Sequence, residues 1–186
     1  MIREDRVQFK LYAAQKQLDR LKEIHRNKKD ISRDEDFVDV EITIDCFFAE
    51  IIGAIDSFLF QINKKLGLGL EPDNVYKRTI KERLNSLGRN QNLLEELDNA
   101  STEGNWYWQL NEYRNHSVHR SVIHRMRNYD PFDKEVTIHL LNNPCRMTFN
   151  PEDYMQKDVI SYFDESLRNV QNLIDSIKMK EPILNN

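Results

Sequence analysis

Apolar residues recur every three or four positions through several long stretches of this chain, a spacing that lays one stripe along one face of a helix. The first stretch runs from Ile2 to Lys29, with Val7, Leu11, Ala14, Leu18, Leu21 and Ile24 on the stripe and charged residues opposite. After the polar break NKKDISRDED, the segment Phe37 to Leu66 carries the strongest core signal: Ile44, Phe48, Ile51, Ile52, Ile55, Phe58, Leu59 and Ile62. Its opening, VDVEITI, alternates apolar and polar residues and suits a strand as well as a helix. Gly67 to Pro72, GLGLEP, ends this element, because glycine suits a left-handed cap and proline cannot continue the turn.

Two shorter helical patterns follow, Val75 to Leu87 and Asn92 to Asn99, separated at Gly88. A helix is then predicted from about Trp106 to Arg120, with Trp106, Leu110 and Tyr113 on its apolar side. Between Ser121 and Tyr154 the pattern changes: prolines stand at 131, 144 and 151, and two alternating runs, EVTIHLL and CRMTF, are joined by NNP. These predict a β-hairpin formed by the two runs. The last helix is predicted from about Met155 to Lys180, with Val159, Ile160, Phe163, Leu167, Val170, Ile174 and Ile177 as its stripe. Four long helices with apolar faces call for a bundle. The expected class is all-α: a four-helix up-and-down bundle with extra short helices and a small β-hairpin before the C-terminal helix, in one domain over residues 1–186.

Composition fits that picture. Of the 186 residues, 39% are hydrophobic and 31% charged, and the mean hydropathy is −0.72, so the apolar residues are few but periodic, which argues against disorder. The opening MIREDRVQFK places charges where a signal peptide has its apolar region, and no apolar run approaches a membrane span. The expectation is a cytoplasmic protein without a membrane partner. Two cysteines, Cys46 and Cys145, form no CxxC pair and predict a buried and a surface thiol. Two matches to the glycosylation pattern, at Asn99 and Asn115, are read as coincidence, because that chemistry requires secretion, for which nothing in the sequence argues.

The net charge of −4 hides a basic island. From Tyr113 to Tyr129, YRNHSVHRSVIHRMRNY, Arg114, Arg120, Arg125 and Arg127 are positive, His116, His119 and His124 can become so, and no residue is acidic. Such a segment, flanked by tyrosines and tryptophans, suits a polyanion, because guanidinium groups fork phosphate oxygens and aromatic rings stack on bases. RNA also supplies its own nucleophile. Cleaving it without a metal requires a base for the 2′-hydroxyl, an acid for the leaving oxygen and a cation for the charge gathering on phosphorus. Histidine, titrating near neutrality, serves as base or acid, and arginine holds the phosphate.

Arg114 and His119 lie about 140° apart around an ideal helix, while Asn115 and His119 share a face. One regular helix does not bring the pair together. Either the helix loosens near Ser117, or a second copy of the segment completes the site across a two-fold axis.

The segment RNHSVH, Arg114 to His119, resembles the signature of the HEPN superfamily: an arginine, a polar residue that is often asparagine, a short spacer and a histidine. The helix FFAEIIGAIDSFLFQINKKLGL, Phe47 to Leu68, is similar to helices in one bacterial branch of it. The resemblance implies an all-α, dimeric, metal-independent endoribonuclease of toxin–antitoxin, abortive-infection or CRISPR-linked defence systems. Arg114 would bind phosphate, Asn115 would be its polar companion and His119 the catalytic histidine. His116, Arg120, His124, Arg125 and Arg127 are further candidates for RNA contact. The implied partners are RNA, a second copy, and an antitoxin or other defence-system protein. In a branch whose toxins are inactivated by nucleotide transfer, a tyrosine stands two places after the histidine; here that place is Ser121.

The alternative is a non-catalytic helical module that binds a protein partner or nucleic acid, with the motif kept for folding or dimer contacts. Glu112, His116 and His119 could share a helix face, but the chain lacks HExxH, Glu-x-x-His and Cys/His sets, so neither a metal nor another cofactor is expected.

Overall fold

The computed structural model describes residues 5–27, 34–89, 92–119, 123–130, 135–146 and 150–185. The helices are α1 (Arg6–Arg26), α2 (Asp34–Lys65), α3 (Lys77–Ser86), α4 (Glu95–Ala100), α5 (Trp106–His119) and α6 (Val159–Lys180), with strands β1 (Arg125–Asp130) and β2 (Glu135–Leu140) between α5 and α6. The protein is mostly helical, as the periodicity predicts.

Asp5 caps α1 by accepting from the backbone N–H groups of Val7 and Gln8 at 3.0 and 3.2 Å, which satisfies two donors the helix leaves open. The same carboxylate accepts from Gln61 Nε2 on α2 at 3.1 Å, so the cap also fixes one helix against the next. All six residues of the predicted α1 stripe are buried. Lys10 meets Glu50 at 2.8 Å and Arg20 meets Asp39 at 3.3 Å. Those pairs, with Asp5 on Gln61, show α1 and α2 running antiparallel.

The opening of α2 is helical, not extended. Val40 and Ile44 are buried, whereas Val38 and Ile42 are 52% and 49% exposed. An alternating apolar sequence wound into a helix leaves part of its apolar surface outside. The helix ends in a Schellman arrangement: Leu68 N–H reaches the Asn63 carbonyl at 3.0 Å and Gly67 N–H that of Lys64 at 3.3 Å, with Gly67 at φ +59°. A left-handed residue is needed there, and glycine adopts it without strain.

The middle of α2 forms the core. Phe47 stacks on Phe163 of α6 with centroids 3.6 Å apart, and Phe48 stacks on Tyr113 of α5 at 4.9 Å. Tyr162 packs edge-on to Tyr113 at 6.1 Å. This aromatic group joins α2, α5 and α6 one residue before Arg114, and pairs spaced like Phe48–Tyr113 and Tyr113–Tyr162 each add about 1 kcal/mol beyond area burial. The helix α6 starts later than predicted, at Val159, where Asp158 caps it by accepting from Ser161 N–H at 2.7 Å.

The hairpin differs from the sequence expectation. Strand β2 pairs upstream, antiparallel with β1, in the register Arg125 opposite Leu140 through Asp130 opposite Glu135. Of the downstream run CRMTF, the described residues Cys145 and Arg146 stand outside the sheet. Around Pro144 the chain turns instead, with Asn143 Oδ1 accepting from Cys145 N–H at 2.9 Å and the Asn143 carbonyl from Arg146 N–H at 3.1 Å; Met147 to Phe149 lie outside the described residues. The segment running beside the end of β2 is the one around Tyr154, which bridges Leu141, while Met155 N–H bonds to the Leu140 carbonyl at 2.7 Å.

Candidate functional site

The helix α5 presents the motif, and two contacts fix its register on α2. Tyr113, 1% exposed, stacks on Phe48, and its hydroxyl donates to the Leu141 carbonyl. One turn later the Ser117 hydroxyl bonds to the Asp45 carboxylate. With residue 113 beside 48 and 117 beside 45, α5 runs antiparallel to α2.

Arg114 and Asn115 are half-buried, and Arg114 Nη1 donates to Asn115 Oδ1 at 3.1 Å. The asparagine therefore orients the guanidinium of its neighbour. Side chains on a helix lean toward its N-terminus, so Arg114 leans toward Tyr107, which α2 faces with Asp56. The charges there are coupled: burial raises the Asp56 carboxyl above its ordinary range, and Arg114 and Lys10 oppose that rise. Burial also pushes the Tyr107 hydroxyl well up, Asp56 adding to it and Arg114 opposing. Asp56 is open to solvent on the outer side of α2, and it is its packing toward Tyr107 and Arg114 that takes part of its hydration away.

Asp45 is likewise raised by burial, with the Ser117 bond pulling the other way. The seam between α2 and α5 thus carries Asp56 near Arg114 and, farther along, Asp45 bonded to Ser117. Arg114 is there a cation whose orientation is set by Asn115, with Asp56 as its acidic neighbour.

His119 closes α5, and its side chain lies outside what the structure describes, as does Arg120 entirely. The helix continues through Ser117 to His119 without a break. Of the two ways to bring Arg114 and His119 to one phosphate, the loosened helix is therefore not the one present, and the pair stays about 140° apart around the axis.

The remaining candidates divide. His116 is buried, at 8% exposure, and faces the packed interior. His124 is half-buried and Arg127 exposed. Arg125 is not on an open surface: its side chain is 5% exposed and paired with Glu41, 14% exposed. Its guanidinium lies 4.2 Å from the centre of the Phe37 ring, and Arg127 lies 5.6 Å from the same centre. Glu41 also accepts from Ile123 N–H at 3.2 Å. Burial, with the charge of Arg127, pulls the Arg125 guanidinium down to about 10. Arg125 joins the hairpin to α2, and its expected place among RNA-contacting residues is corrected to that structural role. Sequence reasoning missed Glu41, Asp45 and Asp56, whose only signal was acidic positions inside an otherwise apolar helix.

Cys46 is half-buried rather than fully enclosed, and Cys145 is exposed. His139 bonds to the Met155 carbonyl at 2.9 Å and Thr137 Oγ1 at 2.8 Å. Among the described residues, no three His, Cys, Asp or Glu side chains gather as a metal site, and no helix is long and apolar enough to cross a membrane.

Among the described residues the protein is mostly helical, with one small antiparallel sheet, consistent with an all-α fold. No family model, curated protein or solved structure matches the chain.

Proposed function

We propose that the protein is a metal-independent endoribonuclease of a bacterial toxin or defence type, built on a HEPN-like up-and-down bundle and acting as a homodimer in the cytoplasm. Arg114, Asn115 and His119 on one unbroken helix, with positions 114 and 119 about 140° apart around its axis, are the observation that carries this reading. A helix that separates a phosphate-binding cation from its proton carrier forms half a site, and a second copy provides the other half. Arg114, oriented by Asn115, holds the scissile phosphate and offsets its developing charge. A histidine from one copy takes the 2′-hydroxyl proton, and the oxygen attacks phosphorus. The histidine of the other copy gives a proton to the departing 5′-oxygen. The products are a 2′,3′-cyclic phosphate and a 5′-hydroxyl. In this reading an antitoxin or another defence-system protein restrains the enzyme.

The test is cleavage of a labelled structured RNA in EDTA. Arg114→Ala is expected to abolish cleavage and to lower the slope of log affinity against log salt by about one phosphate contact. An Arg114→Ala protein that binds and cuts like the wild type would overturn the reading. The second reading, a helical module binding a protein partner or nucleic acid without cleavage, is favoured by the withdrawal of Arg125 into its pair with Glu41. RNA retained but never cut, with unchanged behaviour in His119→Ala, would select it.

A further inference from the structure

We propose that Trp108 is a stacking platform for an unpaired RNA base, seated beside the phosphate that Arg114 holds, so that the substrate is single-stranded where it meets α5. The proposal deepens the reading of the site given above and rests on it.

The helix α5 opens on three consecutive aromatic residues, Trp106, Tyr107 and Trp108, and the fold uses them differently. Trp106 and Tyr107 pack against the core, with their rings edge-on at 5.8 Å. Trp108 is half-buried, yet among the described residues it neither packs on that core nor pairs with another ring. An indole left outside the core keeps an aromatic face for a ligand, as tryptophans at interfaces do.

At 100° per residue, Trp108, Asn111 and Asn115 fall within about 60° of one another around α5. They stand opposite Leu110, Tyr113 and Ser117, the side packed on the core and on α2. One flank of this strip is closed by the chain after β2: Gln109 Nε2 donates to the Asn142 carbonyl at 2.6 Å, and Cys145 Sγ donates to Glu112 Oε2 at 3.1 Å. Arg114 borders the other flank, bonded to Asn115 Oδ1. Because helix side chains lean toward the N-terminus, the Arg114 guanidinium stands near the level of Asn111.

Charge decides which part of a nucleotide lies where. From Asn105 to Tyr113 the chain has no lysine or arginine, and Glu112, one turn beyond Trp108, is acidic. A phosphate gains nothing there. The backbone of a bound strand therefore follows the Arg114 margin, and its base turns across Asn111 toward the indole. Trp108 and Asn115 are about 10 Å apart along the axis, within the span of a short single-stranded segment. The indole face stacks on any base, while the Asn111 amide can both donate and accept at a base edge. Bases in a duplex are already stacked on one another, so only a splayed base reaches the ring.

The test is binding of the full chain to a single-stranded 2′-O-methyl RNA of about twelve nucleotides, whose blocked nucleophile prevents cleavage, and to the same backbone made abasic, which keeps every phosphate. Affinities are measured across a salt series for wild type, Trp108→Ala and Trp108→Phe, with circular dichroism to confirm folding. The wild type is expected to prefer the base-bearing strand at least about tenfold. Trp108→Ala should lose most of that preference with the slope of log affinity against log salt unchanged, and Trp108→Phe should recover part of it. A wild type indifferent to the bases, a Trp108→Ala protein that keeps the full preference, or one whose loss appears in the salt slope would overturn the proposal. A kept preference together with normal cleavage of unmodified RNA in EDTA would overturn the platform alone and leave the strip to a protein partner. Binding of neither strand would overturn the platform and the nuclease reading together. A preference lost in Trp108→Ala, with no cleavage of unmodified RNA by the wild type, would sustain the platform and sink the catalytic reading.

Discussion

Replacing Glu41 with Gln isolates one charge at the joint between α2 and the hairpin. The amide oxygen can still accept from Ile123 N–H, so the principal loss is the negative charge facing Arg125. That guanidinium is 5% exposed, and burial already pulls it down to about 10; without Glu41 it has the Phe37 ring as its remaining compensation on this side. Removing one member of a buried pair costs about 3–5 kcal/mol. The partial exposure of Glu41, 14%, and the surviving cation–π contact place the expectation at the lower end, about 3 kcal/mol. For a domain of this size that lowers Tm by roughly 6–12 °C. The assay is thermal and urea denaturation of wild type, Glu41→Gln and the apolar double variant Glu41→Leu with Arg125→Met. Because well-packed apolar replacements of a buried pair are often neutral, the double variant should recover most of the loss. A Glu41→Gln protein within about 1 kcal/mol of wild type, the range of exposed ion pairs, would refute the view that Arg125 is held by a buried charge.

Two further outcomes follow from the seam. Burial raises the Asp45 carboxyl in the folded protein, so folding favours its protonated form; that stability is fully present below the unfolded value and is lost as pH rises through the folded one. Asp45→Asn, which keeps an acceptor for Ser117, should therefore raise Tm at pH 7, with a gain that shrinks toward pH 4; an equal gain at both would reject the cause. Tyr113→Phe removes the hydroxyl that donates to the buried Leu141 carbonyl and should cost about 1–2 kcal/mol by urea denaturation, while no loss would mean that carbonyl is satisfied otherwise.

Much of the fold was legible because helical spacing is a local property. The α1 stripe is buried residue for residue, and the aromatic core follows from the apolar run in α2. The opening of α2 was ambiguous because Val38, Val40, Ile42 and Ile44 satisfy a strand by alternation, and only packing reveals that Val40 and Ile44 turn inward. The hairpin was misplaced for a different reason. Strand β1 is polar, RMRNYD, and what anchors it is the pairing of Arg125 with Glu41, a contact between distant parts of the chain that no window of sequence contains.

The motif itself was legible as a basic island. Its geometry was not, since whether α5 loosened at Ser117 depended on the contacts that Tyr113 and Ser117 make with α2. The carboxylate near Arg114, Asp56, was hidden within the core helix for the same reason: residues far apart in sequence meet only after the helices pack.

The most direct measurement of the central claim is the chemistry of the ends left on a structured RNA incubated in EDTA with the wild type and with His119→Ala. The account predicts fragments ending in a 2′,3′-cyclic phosphate and 5′-hydroxyl with the wild type, and intact RNA with a folded, dimeric His119→Ala. Fragments ending in a 3′-hydroxyl, or cleavage undiminished in the variant, would contradict it.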